Sequence, residues 1–401
     1  MMHKSILIIT SDYPPFLFGG GGVDGFLTVQ KLREQGIRTD VLAATGHSLY
    51  DSTIGGSTTH IVRLPTEFGL ILSTAHHLKM IKNNYDIIYV LNPVQLAAVK
   101  LSGLGHECKI IVLLNSATWY CTNPTMDTST SCFGCTSFHQ LRCLFRRKST
   151  NPLGFLYKPI NYLEHLVPSI FMRSANHYIA ISETMKEFFI GLGLPSSRVT
   201  VIPSILDEGI RASASPIKRC EYKSEVYQLL YVGRLVDYKG VQTIIEALSL
   251  LRRGDTRLCI VGTGPHEGPL RELCKKLEIS DKVSFTGQVN REELNYYYIS
   301  SDIFIHPGLC NEAFGRSIIE AISFSLPVIV SNRGEPPRMV GENGLIFEAG
   351  NPYDLKEKIE VLLDNKDLRD ELSTGSASLL SRFNSETVIS NLVGLLDKVS
   401  E

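Results

Sequence analysis

The stretch HPGLCNEAFGRSIIEAISFSLPVIVSN, residues 306–332, decides how this chain is read. It leaves the apolar run DIFIHP, crosses a polar loop, opens a helical run at Gly315 and returns to the β-branched run PVIVSN. Continuous apolar strands on either side of a helix form a βαβ unit, whose parallel sheet is covered on both faces. Two glutamates, Glu312 and Glu320, bracket Phe314 and Gly315. If both were helical, their eight-residue separation would place them ~12 Å apart along the axis and ~80° apart around it. They could not then serve one small group. The spacing therefore predicts Glu312 in the loop, Gly315 near the helix start and Glu320 in the second turn. The amides of Gly315, Arg316 and Ser317 would then face an anion, with one carboxylate on each side to accept from hydroxyls. That arrangement suits a nucleotide sugar, its sugar at one end and its ribose at the other. The alternative is an acidic helix start with a solvated second glutamate. Yet Ile318, Ile319, Ala321 and Ile322 surround Glu320, and a carboxylate in such company needs a partner.

The same alternation runs outward in both directions. KSILIIT, RTDVLAAT, DIIYVLN, KIIVLLN, HYIAIS and RVTVIPS read as strands before residue 205, with FLTVQKLREQG as a helix ended by Gly36. The polar stretch after Pro203 reads as a linker, residues 206–225. YQLLYVG, TRLCIVG, KVSFTG, DIFIHP and PVIVSN then restart the pattern, with helices between them. The expected fold is α/β: two doubly wound, Rossmann-like domains, residues 1–205 and 226–380, facing a central cleft. Ligands of such sheets sit outside the carboxyl ends of the strands.

Bulk composition narrows the function classes. The 401 residues suffice for two or three domains, and 43% hydrophobic with 20% charged residues is globular. With 40 basic against 41 acidic residues there is no basic field to hold nucleic acid. The opening MMHKSILIIT has too short an apolar run for a signal peptide, and no stretch reaches the ~18 apolar residues of a membrane span. The expected setting is cytoplasmic, with peripheral contact to the inner face of a membrane left open.

Three further constellations carry chemistry. In YVGRLVDYKG, residues 231–240, a strand ends at Gly233, and Arg234 and Lys239 follow before a helix beginning near Gly240. Two cations beside a helix N-terminus make an anion site; a solvated loop is the alternative. In VGTGP, residues 261–265, Gly262 and Gly264 let backbone amides approach a bound group closely. In SDYPPFLFGGGGVDGF, residues 11–26, four glycines including Gly20, Gly21 and Gly22 stand between the first strand and its helix, where they suit close approach to a phosphate or sugar.

These motifs together resemble the GT-B fold retaining glycosyltransferases of family 4, also called glycosyl transferases group 1. The family's E-x7-E element is similar to Glu312 through Glu320, its G-R-x4-K-G element to Gly233, Arg234, Lys239 and Gly240, and its G-x-G turn to Gly262 and Gly264. The resemblance implies a hexosyltransferase that moves a sugar from a UDP sugar, or alternatively a GDP sugar, to an acceptor hydroxyl in glycan, polysaccharide or natural-product biosynthesis. It implies Arg234, Lys239 and Glu312 as catalytic, with no metal required. It implies donor contacts at Gly20, Gly21, Gly22, Gly233, Gly262, Gly264, Val289, Ala313, Phe314, Gly315, Arg316 and Glu320. Glu312 would orient the hexose and Glu320 the ribose. The last segment, 381–401, would be a helix crossing back to the first domain. The chain departs from the family at NSATWYC: Asn115 and Ser116 stand where relatives often carry His-Asp. Those two residues are the candidates for acceptor binding. A non-catalytic nucleotide-sugar-binding partner subunit and another GT-B enzyme, such as a nucleotide-sugar epimerase, are the rival readings.

Four of the nine cysteines, Cys121, Cys132, Cys135 and Cys143, cluster within a loop spanning 121–150. Four thiolates with one C-x2-C pair suit a structural zinc, and reduced thiols in an ordered loop are the alternative. His306 reads as the end of a strand, with no catalytic partner visible.

Overall fold

The structure is a computed structural model that describes residues 5–11, 13, 20–45, 51–54, 57–63, 67–81, 85–104, 108–117, 170–206 and 226–401. The four clustered cysteines, Cys121, Cys132, Cys135 and Cys143, lie outside the described residues, as do linker residues 207–225. The chain divides into two units: Met1–Ile205 with Ser385–Glu401, and Leu206–Asn384.

The first unit is built on an eight-stranded sheet in the order β3-β4-β2-β1-β5-β6-β7-β8. Its strands are β1 (Ser5–Thr10), β2 (Arg38–Thr45), β3 (Asp51–Ile54), β4 (Ser57–Arg63), β5 (Ile87–Val90), β6 (Lys109–Leu114), β7 (His177–Ala180) and β8 (Val199–Val201). All neighbours are parallel except β3, which pairs antiparallel with β4 at the edge. Ile6, Leu7, Ile8 and Ile9 of β1 are fully buried, because a central strand with helices on both faces has no solvent side. Helices α1 (Gly20–Glu34), α2 (Glu67–Met80), α3 (Leu96–Ser102) and α4 (Glu183–Gly191) follow β1, β4, β5 and β7.

Two features depart from the sequence reading. The β3–β4 hairpin is polar and Thr-rich, so no apolar run announces it. Helix α1 starts at Gly20 rather than at Phe26. Glycines add nothing to an amphipathic pattern, but they let the helix sit low on the sheet: a Cβ at Gly25 would come within 2.9 Å of Leu91 Cδ1.

The second unit carries a six-stranded, wholly parallel sheet in the order β11-β10-β9-β12-β13-β14. The strands are β9 (Tyr227–Val232), β10 (Thr256–Val261), β11 (Val283–Gly287), β12 (Ile303–His306), β13 (Val328–Ser331) and β14 (Gly344–Phe347). The helices are α5 (Val241–Leu250), α6 (Glu267–Lys276), α7 (Arg291–Ile299), α8 (Arg316–Ser323), α9 (Pro336–Val340), α10 (Pro352–Asp364) and α11 (Lys366–Leu380). Leu229, Ile244, Ile260, Ile305, Ile329 and Ile359 belong to one buried cluster beneath α5 and α10. Fully burying each such side chain contributes about 1.5–3 kcal/mol.

The last helix, α12 (Ser385–Ser400), belongs to the first unit and packs on α1. It turns Val388, Ile389, Leu392 and Leu396 inward. Its start at Ser385 is later than the 381 expected from the sequence, because Ser381–Phe383 forms a separate 3-10 turn. Among the described residues, no helix is long and apolar enough to cross a membrane.

Candidate active site

In the second unit the carboxyl ends of β9, β10 and β12 bring the chemistry-bearing residues together. After β9 the chain passes Arg234, whose side chain is exposed and has no carboxylate partner among the described residues. Tyr231 Oη donates to Arg234 O at 3.0 Å and so fixes the turn from below. A 3-10 turn, Asp237–Lys239, then carries Lys239 to the start of α5, where Gly240 takes φ 72°. A Cβ at Gly240 would lie 2.0 Å from Pro307 O, so only glycine lets this turn meet the loop that follows β12. Leu309 N donates to Tyr238 O at 2.9 Å and ties the two loops together.

That junction sets Lys239 against Glu312. The Lys239 ammonium donates to Glu312 Oε2, and the two side chains are 22% and 18% exposed, so the pair is largely removed from water. Burial pulls the lysine down and pushes the carboxyl up, but their mutual attraction wins in both cases. Lys239 is raised above its ordinary value. The Lys239 ammonium, helped by His306, holds the Glu312 carboxyl well below the usual carboxylate range. His306, which ends β12, is 4% exposed, and its Nε2 lies 3.6 Å from Glu312 Oε2. The Cys310 thiol beside them is pushed up to about 11, first by burial and then by the Glu312 charge.

Glu312 lies in the loop, held by backbone on its own side: Glu335 N donates to Glu312 O at 2.9 Å. Gly315 forms the N-cap of α8 at φ 94°, with no side-chain cap. A left-handed residue there turns the chain sharply into the helix, and the first amides of α8 have no intrahelical acceptor. Glu320, in the second turn, is 6% exposed. Its partners come from another helix and from its own first turn. Tyr298 Oη of α7 donates to Glu320 Oε2 at 2.9 Å. Arg291 Nη1 and Arg316 Nε stand 3.6 and 3.9 Å from Oε1. Burial and then the Glu320 charge hold the Tyr298 hydroxyl well above its ordinary value, which keeps it a donor.

Other candidates take different places. Gly262 and Gly264 pack against the neighbouring turn: a Cβ would come within 2.0 Å of Gly233 O and 2.2 Å of Leu235 O respectively. Chain-to-chain contact is thus enough to require glycine at both positions. Ala313 is half-buried, while Phe314 turns its ring into the protein, edge-on to Phe383 at 5.7 Å, so only its backbone lies along the loop. Val289 is half-buried, just before the capping box that Asn290 and Glu293 form at the start of α7.

In the first unit, Gly20, Gly21 and Gly22 form the first turn of α1, and Asn115 and Ser116 follow β6. The structure brings two of these together. A Cβ at Gly21 would lie 3.5 Å from Asn115 Nδ2, and that amide donates to Leu91 O at 3.4 Å. Among the described residues no group of three or more His, Cys, Asp or Glu is placed to hold a metal ion.

Sequence reasoning missed His306 and Tyr298. His306 stands six residues before Glu312, and the loop after β12 brings the two side chains together. Tyr298 is the third of three consecutive tyrosines, and nothing local marks which of them faces inward.

Comparison with known proteins agrees with this architecture. The sequence model described as "Glycosyltransferase Family 4" matches residues 18–208, and that described as "Glycosyl transferases group 1" matches residues 218–378. The chain belongs to the family 4, group 1 glycosyltransferases. An uncharacterized glycosyltransferase of Haemophilus influenzae is 30% identical over 179 residues, covering 43% of this chain and 50% of that protein. A GDP-mannose-dependent alpha-(1-6)-phosphatidylinositol monomannoside mannosyltransferase of Mycobacterium tuberculosis is 30% identical over 202 residues, covering 46% and 52%. The chain thus spans about half the length of these curated relatives. Among solved structures, HepE of Anabaena in complex with UDP superposes with a TM-score of 0.72 at 17% identity, covering 98% of this chain and 100% of that one. At that identity the likeness concerns the fold, which is GT-B: two Rossmann-like α/β units.

Proposed function

We propose that this protein is a cytoplasmic retaining glycosyltransferase. It moves a hexose from a nucleoside diphosphate sugar, a UDP sugar before a GDP sugar, to an acceptor hydroxyl in glycan or polysaccharide assembly. The single observation that carries the reading is the Lys239–Glu312 pair at the glycine-capped start of α8. Arg234 and Lys239 offset the charge that grows on the departing diphosphate, helped by the amides at Gly315 and Arg316. Glu312 accepts from sugar hydroxyls, and Glu320, steadied by Tyr298, accepts from the ribose. The bond from the anomeric carbon to the diphosphate oxygen breaks, and a bond to the acceptor oxygen forms on the same face. The acceptor proton passes to the leaving phosphate. Two cations and a helix terminus supply the electrostatic stabilisation, so the site needs no metal in this scheme. The named relatives support the donor class: one is described as GDP-mannose-dependent, and HepE was solved with UDP.

The test is turnover. The full chain is incubated with UDP-glucose, UDP-galactose and GDP-mannose, with a panel of hydroxyl acceptors, and nucleotide release and product anomer are followed by NMR. Transfer with retained configuration supports the reading. Release of epimerised donor, or donor binding without any transfer across the panel, would replace it with one of its rivals.

A further inference from the structure

His306 is a buried component of this cluster for which the scheme above gives no work. It is 4% exposed, and neither ring nitrogen finds a hydrogen-bond partner among the described residues. A buried imidazole without partners is costly, and native structures seldom tolerate one without use. Its Nε2 faces Glu312 Oε2 at 3.6 Å, within ion-pair reach but beyond a hydrogen bond. The same oxygen already accepts from Lys239. Thus one carboxylate oxygen faces two nitrogens, and only the lysine is engaged.

The groups around the pair are Tyr231 from β9, Asp237, Tyr238 and Lys239 from the turn before α5, and Cys310 from the loop after β12. Burial holds the Tyr231 hydroxyl and the Cys310 thiol in their neutral forms near neutral pH. That leaves Glu312, Lys239 and Asp237 as the charged groups of these surroundings. A diphosphate that draws Lys239 away would strip Glu312 of its ammonium inside a poorly hydrated site. A carboxylate left unpaired there is strongly disfavoured.

We propose that His306 is a positioning residue that takes over the Glu312 carboxylate by gaining a proton when Lys239 turns to the donor diphosphate. The proton comes from solvent and rests on the ring, and Nε2–H then donates to Oε2. Glu312 thereby stays charged and oriented toward the sugar while its first partner is engaged elsewhere. The proposal rests on the assignment of Lys239 to the diphosphate.

The test is nitrogen-15 NMR of the full chain with labelled histidine at pH 7, with the His306 signal assigned by its loss in His306→Gln. Lys239→Met mimics departure of the ammonium, and the ratio of charged to neutral His306 ring should rise by about tenfold. Glu312→Gln removes the attraction instead, and the same ratio should fall. Adding UDP or GDP to the wild type should act like Lys239→Met. A histidine uncoupled from the Glu312 carboxylate would change in neither variant, and an unchanged ratio in both overturns the proposal. A rise in Lys239→Met with no response to either nucleotide would uphold the His306–Glu312 coupling and count against the donor assignment.

Discussion

Glycines open both candidate regions, but they are held very differently. In the second unit, Gly262 sits at φ 131° with a backbone carbonyl where its Cβ would be, 2.0 Å from Gly233 O. Its amide donates to Gly287 O at 2.9 Å, so three strand ends lock into one another. In the first unit, Gly21 lies in a helix turn, and its added Cβ would meet only Asn115 Nδ2 at 3.5 Å, an ordinary contact. The second unit therefore fixes the shape of its strand ends by its own chain, before any ligand arrives. In the first unit, packing against the rest of the unit does not demand glycine at Gly21, although it does crowd Gly25 against Leu91.

The contrast can be broken most forcefully at Gly262. Gly262→Ala should destabilise the second unit by about 4 kcal/mol, because neither a strained φ nor a backbone clash can relax cheaply. Urea denaturation would measure it, and a loss under 1 kcal/mol would show that the strand ends are not locked. Next in size, Lys239→Met should lower the transfer rate about 10²–10³-fold with folding retained, since an ammonium aimed at developing charge is lost. Steady-state kinetics beside circular dichroism would separate the two effects.

A smaller effect follows from pH. The folded Glu312 carboxyl is held below its ordinary 4.5, so the stability it contributes is complete above that value and lost as pH falls below it. Lys239 is raised above its ordinary 10.5, so its contribution is complete below that value and lost at higher pH. The pair should thus be steady from about pH 5 to pH 10. Glu312→Gln should flatten the acid limb of a stability–pH profile. An acid limb identical to that of the wild type would mean the pair does not couple to folding. The smallest effect belongs to the first unit. Gly21→Ala should leave stability unchanged or raise it by about 0.5–1 kcal/mol, because alanine suits a helix better than glycine. A marked loss of stability would erase the contrast.

The sequence reveals those parts of this molecule that depend on spacing along one segment. The parallel sheets follow from unbroken apolar runs such as SILIIT and YQLLYV, and Glu312, Gly315 and Glu320 fall where an eight-residue separation and a glycine dictate. What depends on contact between segments is not legible. Tyr298 reaches Glu320 only because α7 packs beside α8, and its two tyrosine neighbours have the same local pattern. His306 meets Glu312 through the irregular loop after β12, whose path charge and hydropathy do not register. Strands β3 and β14 escape notice because edge strands are short and partly polar, and β4, beside the edge, because its run STTHIVR is half polar. The reason for glycine at Gly262 and Gly264 also changes with the structure: a motif suggests ligand approach, whereas the coordinates put another turn's backbone in the way.

The central claim is that Glu312 and Glu320 flank a seat for a nucleoside diphosphate at the start of α8. Calorimetric titration of UDP, GDP and ADP into the wild type and into Glu320→Ala tests it most directly. The account predicts that one nucleotide binds the wild type and that its affinity drops about tenfold or more in the variant, as when a buried carboxylate loses its hydrogen bonds to a ribose. Absence of binding by all three, or equal affinity in both proteins, would contradict it.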